Sequence, residues 1–470
     1  MKSINKNMIL GFALTIGLSS CVLSRKYARP EMNLPETYRN HIAVTADTIQ
    51  LPWKAFFRDP QLIKLIEKAL EKNNEVATAL KNIEQLELAF KQAKLGLLPA
   101  LDLNAGASRA WQSKNTLNGS LSEQFVGTTY LDDFNASLRL SWEADIWGKV
   151  KMHKDASKAN YFAQKEHLSA LKTRIISQVA QAYYNLVGLD EQLKIARQNI
   201  LLSDSTLQMM RLQYQAGQIN SLALNQAEAQ RKTAELLVPL ALQNIEVQEN
   251  ALSILCGSYP DSITRSGSLS GVMPEQILAY GVPAQLLSRR PDVKAAEYAV
   301  VSANAKTGLA QADMYPGFSL SPQVGVNSLK FSNWFDLPGS VTKTLAINLT
   351  QPVFQKKALK TAYETAVLEQ EKTVIQFRQS VMTAVNEVSD AMAKYKGASE
   401  RLNLVQEKTG LLQKATGDAI KLYSSGMATY LEVITAQNNR LQNDLEAINI
   451  RMDHLNAITD LYRALGGGVE

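Results

Sequence analysis

The residues most capable of chemistry in this chain are its two cysteines, Cys21 and Cys256, and only the first stands in a chemical motif. Cys21 follows Leu18-Ser19-Ser20, after an apolar stretch from Met8 to Leu18 that is preceded by Lys2 and Lys6. A basic start, a short apolar run and small residues make a bacterial secretory signal. The run is too short for a helix to cross a bilayer, which takes about 20 apolar residues. Small residues just before a cysteine also fit the lipoprotein signal-peptidase box, in which the cysteine is acylated and becomes the mature N-terminus. The sequence therefore predicts a signal over 1–20 and a diacylglycerol and N-acyl lipid on Cys21, an anchor strengthened by about 0.8 kcal/mol per buried methylene. With Cys21 lipidated, Cys256 has no partner for an internal disulfide and reads as a small buried hydrophobe.

Other chemistry finds no footing. His41, His153, His167 and His454 are far apart, and His153 and His167 are too widely spaced for one ligand face of a helix. No glycine-rich phosphate loop, nucleophile elbow or Cys/His metal cluster occurs. The 12 methionines are scattered. The expectation is a protein without enzymatic activity, metal or cofactor beyond the lipid. Its net charge of +6 comes from Lys and Arg interleaved with Asp and Glu, as on solvated helix faces. No basic block points to nucleic acid.

The elements that carry these residues form two copies of one unit. Val76, Ala79, Ala93, Pro99 and Leu103 match Val293, Ala296, Ala310, Pro316 and Leu320 at an offset of 217. Ala182, Tyr214, Gly217, Leu222, Ala227 and Arg231 match Ala391, Tyr423, Gly426, Leu431, Ala436 and Arg440 at an offset of 209. The first copy thus holds a longer insertion between Pro99 and about Trp147. In the second copy Val374, Val381, Val388, Tyr395 and Leu402 recur every seventh residue, with Phe377, Ala384, Ala391, Ala398 and Val405 as the companion row. Val179, Leu186, Leu193, Ile200, Leu207 and Tyr214, with Ala182, Leu189, Ala196, Ser203 and Met210, do the same in the first. These are heptad seams, and their small residues suit helices packed side by side. Helical pattern runs from about Trp147 to Gln215 and from about Gln355 to Ser425, or roughly 100 Å each. A coiled-coil spacer would explain the seams but not the stretches between them.

There, Phe134, Ala136, Leu138, Leu140 and Trp142 alternate with Asn135, Ser137, Arg139, Ser141 and Glu143. Leu345, Ile347 and Leu349 alternate with polar neighbours, and Leu101-Asp102-Leu103-Asn104 and Phe318-Ser319-Leu320-Ser321 repeat the pattern. Four amphipathic strands in two hairpins follow. No later segment is apolar enough for a membrane helix, so a crossing would have to be made with strands. Four strands cannot close a barrel; they would have to join those of other subunits. A soluble sheet covered by the helices remains the alternative.

The run Leu286-Leu287-Ser288-Arg289-Arg290-Pro291-Asp292-Val293, followed by Ala296-Glu297, Ala303-Asn304-Ala305, Gly308 and Tyr315-Pro316, resembles the TolC-type outer-membrane factor family. The likeness is greatest to its lipoprotein branch, which serves resistance-nodulation-division pumps. Trp53, Phe57, Asp59-Pro60, Leu98-Pro99, Trp142 to Lys149 and Gln351-Pro352-Val353-Phe354 extend it over nearly the whole mature chain. Arg289, Arg290, Pro291, Asp292, Pro99, Pro316, Gly148 and Pro352 are given architectural roles only. Pro291 and Asp292 suit a helix start, Pro99 and Pro316 end helices, and Gly148 and Pro352 lie where strand turns back into helix.

The resemblance implies a mainly α chain with a transmembrane β part, assembled as a homotrimer with a twelve-stranded barrel in outer-membrane lipid and a helical tunnel in the periplasm. Segment 21–59 is then a lipidated extension, 60–98 and 281–315 tunnel helices, and 99–146 and 316–354 barrel hairpins. Segments 147–257 and 355–465 become tunnel helix pairs, and 258–280 and 466–470 equatorial pieces. The implied function is a passive exit duct for small molecules or ions, joined to a periplasmic adaptor and an inner-membrane pump; a duct for type I protein secretion, or a coiled-coil envelope scaffold, is the alternative. In relatives, helices following a Y-x-x-G turn close the tunnel with acidic side chains in the lumen. Here that turn is Tyr423 to Gly426, its first-copy counterpart holds Gly217, and Glu432 falls on an acidic gate position. Thr435 falls where some relatives have a second acid.

Overall fold

The computed structural model describes residues 27–32, 35, 52–113, 115–117, 124–125, 127–274 and 289–467. The signal segment and Cys21 lie outside them. Contacts divide the chain into two units, one holding Gln85–Phe162 and Tyr298–Ile375 with residues 27–30, the other Glu31–Glu84, Ala163–Glu297 and Gln376–Glu470.

The helices are α1 (Trp53–Phe56), α2 (Pro60–Lys72), α3 (Asn74–Lys94), α4 (Lys149–Gln215), α5 (Ser221–Leu255), α6 (Pro291–Ala312), α7 (Ala358–Ser424) and α8 (Tyr430–Ala464). The strands are β1 (Ala100–Trp111), β2 (Tyr130–Glu143), β3 (Gly317–Ser328) and β4 (Val341–Thr350). Helices α4 and α7 have 67 residues each, and α5 and α8 have 35 each. The first-copy insertion enlarges the β1–β2 hairpin, whose connection spans 112–129 against 329–340 in the second.

In the second unit the seam of α7 is buried at Phe377, Val381, Ala384, Val388, Ala391, Ala398 and Val405. On α4 the seam buries Val179, Leu186, Ala196, Ser203, Leu207 and Met210, but Tyr214 is exposed, unlike its counterpart Tyr423. The largest core lies where α1 and α2 meet α4 and α8. Phe56 stacks on Tyr462 with ring centroids 4.0 Å apart. Asp59 caps α2 by accepting from the Gln61 N–H at 2.8 Å and accepts a hydrogen bond from the Tyr183 hydroxyl at 2.6 Å. That buried phenol is pushed up to about 12, first by desolvation and then by this bond. Cys256 is fully buried at the end of α5.

The first unit holds a four-stranded antiparallel sheet in the order β1-β2-β3-β4. Leu103 pairs with Leu138, Leu138 with Val324 and Leu320 with Ile347, so the register puts the apolar residues of all four strands on one face. Asn104, Ser137, Gly325 and Thr342 lie on the other, polar face by the same pairings. The apolar face is bare: Leu103 is 73% and Leu349 72% exposed. Within the sheet β1 and β4 each have one neighbour, leaving two open edges. Trp147 donates from its indole N–H to the Pro316 carbonyl at 2.8 Å, fixing the base of the sheet. Asp145 accepts from the Val150 and Lys151 N–H groups at 2.9 and 3.2 Å and so starts α4.

Candidate functional site

The sequence concentrates candidate residues at the two turns between the long helices, and the structure builds these turns alike. Helix α4 ends as Gly217 donates to the Tyr214 carbonyl and Gln218 to that of Gln213, at 3.0 and 2.9 Å. Helix α7 ends as Gly426 donates to Tyr423 and Met427 to Leu422, at 3.1 and 2.8 Å. Both bond pairs require a left-handed residue, supplied by glycines with φ of +70° and +75°. The next helices are capped in different ways. Asn220 accepts from the Ala223 N–H at 3.1 Å, whereas Thr429 and Glu432 form a reciprocal capping box.

Glu432 therefore has a local bond: its carboxylate accepts from the Thr429 N–H at 2.5 Å. The side chain is exposed, as is Thr435 one turn further along α8. Beneath them Leu207, Met210, Ala223 and Ala227 pack with Ile219, Leu224, Tyr430 and Ile434, joining the ends of both copies in one apolar cluster. Two side-chain bonds cross this cluster's flanks. The buried Tyr423 hydroxyl donates to Gln213 Oε1, and Gln437 Nε2 donates to Thr206 Oγ1 at 2.7 Å. Burial raises the Tyr423 phenol above its usual range, so it stays a donor at neutral pH. Neither Gln213 nor Thr206 was marked by the sequence, because each is an ordinary polar residue far along the chain from its partner.

The Arg289-Arg290-Pro291-Asp292 signature has a structural task. Pro291 begins α6, with Asp292 in its first turn. Arg290 is 5% exposed and grips Asp292 in a fork at 3.0 and 2.6 Å, with Glu387 of α7 at 2.8 Å. Arg463 of α8 also reaches Glu387, at 3.4 Å. The carboxylates hold the Arg290 guanidinium charged despite its desolvation. Arg289 lies beside Gly466. Pro99 and Pro316 directly precede β1 and β3, Gly148 precedes α4, and Pro352 lies between β4 and α7.

Among the described residues no group of three or more His, Cys, Asp or Glu is arranged to hold a metal. No helix of the described residues is long and apolar enough to cross a membrane. One face of the sheet is apolar and largely exposed, with Trp111 and Tyr130 paired at one end and Trp142 and Phe318 toward the other. An apolar band between aromatic residues is the surface a transmembrane barrel turns to lipid.

The family model for the outer membrane efflux protein matches residues 65–258 and 282–467. The chain belongs to that family. It is 28% identical over 468 residues to the probable outer membrane lipoprotein SilC of Salmonella typhimurium, covering 98% of this chain and 99% of that one. The cation efflux system protein CusC of Escherichia coli K12 is also 28% identical over 468 residues, with 98% and 99% covered. A solved CusC structure superposes with a TM-score of 0.86 at 26% identity, covering 95% of this chain and all of that one. The open state of the Neisseria gonorrhoeae MtrE outer membrane channel matches with a TM-score of 0.86 at 26% identity, over 96% and 99% of the chains. This efflux protein therefore has the fold of the TolC-like outer-membrane channels, with strands for a barrel and helices for a tunnel, and is the outer-membrane component of an efflux system.

Proposed function

We propose that the chain assembles as a homotrimer whose twelve strands close one barrel, and that this duct passively conducts small molecules or ions delivered by an inner-membrane resistance-nodulation-division pump through a periplasmic adaptor. The single observation that carries the reading is the four-stranded sheet with one bare apolar face and two open edges. Unpaired strand edges cannot face hydrocarbon, so the sheet must close against copies of itself. Two copies would give about eight strands, whose interior the side chains would fill, whereas three leave a pore. Mass measurement of the detergent-solubilised assembly tests this: a trimer is expected, and a stable monomer or dimer as sole species refutes it.

Relatives named for cation efflux and for toluene efflux match at 28% and 27% identity. Such even similarity supports selection of cargo upstream, in the pump. The relative named as a lipoprotein supports acylation at Cys21. Replacing Cys21 by Ala should abolish acyl labelling, and undiminished labelling would reject the anchor. With no acidic run in Val22-Leu23-Ser24-Arg25-Lys26, the anchor is assigned to the periplasmic leaflet.

The gate is placed at the turns around Gly217 and Gly426. Tyr423 holds the resting state through Gln213, while three copies of Glu432 around the axis set a preference for cations. Glutamine at position 432 can still complete the capping box but carries no charge. In planar bilayers Glu432→Gln should thus reduce cation preference without altering open probability; unchanged ion selectivity would reduce Glu432 to a capping residue.

A further inference from the structure

A cavity of about 320 Å³ lies beside Arg290, and its charged wall of Arg290, Asp292 and Arg463 is part of the ion-pair network already described. A larger one, about 610 Å³, lies in the first unit. Tyr27, Met152, Phe162, Tyr298 and Val301 give it an apolar wall. Phe162 and Tyr298 stack with centroids 5.6 Å apart, which makes part of that wall rigid. Such a volume is ordinary for a small-molecule site, within the range of roughly 300–1,000 Å³.

The rim is charged. Lys151, Asp155 and Lys158 stand at i, i+4 and i+7 on α4, all lining the same cavity. Among the described residues neither lysine ammonium has a carboxylate partner, although Lys149 on the same helix pairs with Asp313 at 2.8 Å. The two lysines and one aspartate leave the rim one positive charge in excess, with an acceptor between two donors. Position adds the second constraint. Lys151 comes eight residues after Glu143, the last residue of β2, so the Lys151 end of the rim lies just below the base of the sheet. In the outer-membrane placement, that is the level of periplasmic-leaflet headgroups.

We propose that this cavity binds one glycerophospholipid per protomer. Lys151 and Lys158 hold its phosphate, Asp155 accepts the ammonium of an ethanolamine headgroup, and the aromatic wall receives the start of an acyl chain. A phosphodiester is an anion this rim complements, and the apolar wall favours a ligand that also carries a hydrocarbon chain over an inorganic ion. The site would lock the helices below the barrel to the leaflet that surrounds it. The inference rests on the sheet lying in the membrane and is independent of acylation at Cys21.

Native mass spectrometry of the full-length assembly, after exchange from mixed phosphatidylethanolamine and phosphatidylglycerol vesicles into mild detergent, tests it. The wild type should retain one phosphatidylethanolamine mass per protomer. Lys151→Glu with Lys158→Glu should lose most of that adduct, and Asp155→Asn should keep an adduct while shifting it toward phosphatidylglycerol. Val301→Trp, which fills the cavity without touching the rim charges, should also abolish it. Cys21→Ala, exported by a conventional signal, should retain the lipid; retention only in the acylated protein would mean that the mass belongs to the anchor and would overturn the site. Equal retention in the charge-reversed variant, with its assembly mass and unfolding temperature unchanged, would overturn it as well. Oligomer mass is read in the same spectra, so failure of the shared barrel is distinguished from failure of the lipid site.

Discussion

Removing one hydroxyl by Tyr423→Phe tests the proposed gate most directly. The ring is 7% exposed, and phenylalanine would fill the same volume, so packing in the turn is retained. What is lost is the bond from the Tyr423 hydroxyl to Gln213 Oε1, which ties the end of α7 to the end of α4. A neutral hydrogen bond contributes about 1 kcal/mol net. Gln213 is half-buried and can recover water as its partner, which keeps the loss near that value. About 1 kcal/mol changes an equilibrium roughly fivefold. If three protomers open together, the loss is about 3 kcal/mol and the open state gains roughly 150-fold. If they open singly, each gains only about fivefold.

Single-channel recording in planar bilayers reads the open-time fraction directly. Because burial raises the phenol, the difference between wild type and variant should persist without titration from acidic to mildly alkaline pH. Gln213→Ala should give the same phenotype, and the double variant little more than either single one. Fully additive effects, or an open fraction unchanged in Tyr423→Phe, would show that the bond does not hold the resting state.

Three further outcomes follow from the same geometry. Arg290→Met should leave Asp292 without its fork and Glu387 with Arg463 as its remaining ion-pair partner, and destabilise the assembly by about 1–3 kcal/mol with conductance per channel unchanged; thermal unfolding in detergent measures it. Lys357 adopts a φ of +63° just before α7, at the position equivalent to Gly148, whose φ is +73°, so Lys357→Gly should stabilise by about 1 kcal/mol and raise the unfolding temperature. His454 is buried against Tyr395, with ring centroids 5.4 Å apart, and desolvation lowers its pKa. As pH falls below the ordinary His value of about 6.5, the unfolded chain takes up a proton that the folded one refuses, so stability declines. In His454→Leu the loss of unfolding temperature between about pH 7.5 and 5.5 should be smaller than in wild type.

Much of the fold was legible because it is written locally. Alternation at Phe134 to Glu143 marks a two-faced strand from neighbouring residues alone, and Pro99, Pro316 and Gly148 mark the starts of β1, β3 and α4 through backbone constraints. The duplicated seams need only the spacing of apolar side chains. By contrast, Arg290 and Glu387 are nearly a hundred residues apart, and nothing local distinguishes their ion pair from any solvated charge. The same holds for Tyr423 and Gln213, from opposite copies. The cavity below the sheet draws its wall from the N-terminal segment, α4 and α6, a conjunction only folding produces. Glu432 shows the converse: its i,i+3 relation to Thr429 is a legible capping box, yet the Y-x-x-G resemblance directed attention to the lumen instead.

Duplication supplies an internal control for function. The turns at Gly217 and Gly426 use the same backbone bonds, and the chain repeats the arrangement at the ends of α5 and α8, where Ser258 donates to Ser253 and Gly467 to Tyr462, each at 2.9 Å. Shared features of this kind are demands of the helical fold. Where equivalent positions differ, the fold alone does not require the difference. Tyr423 is buried and reaches Gln213; Tyr214 is exposed, and the residue that would stand opposite it by the repeat is Leu422, which has no acceptor in its side chain. Asn220 caps one helix as a neutral residue, whereas the matching Thr429 works with the charged Glu432. Both asymmetries put the added polar function in the second-copy turn. An opening that begins there, with α7 and α8 leaving α4 while the first-copy turn keeps its own packing, is what that asymmetry supports. Restraining α7 to α4 by a crosslink between Tyr423→Cys and Gln213→Cys should then close the channel. A channel that still opened with that crosslink complete would place the moving element elsewhere.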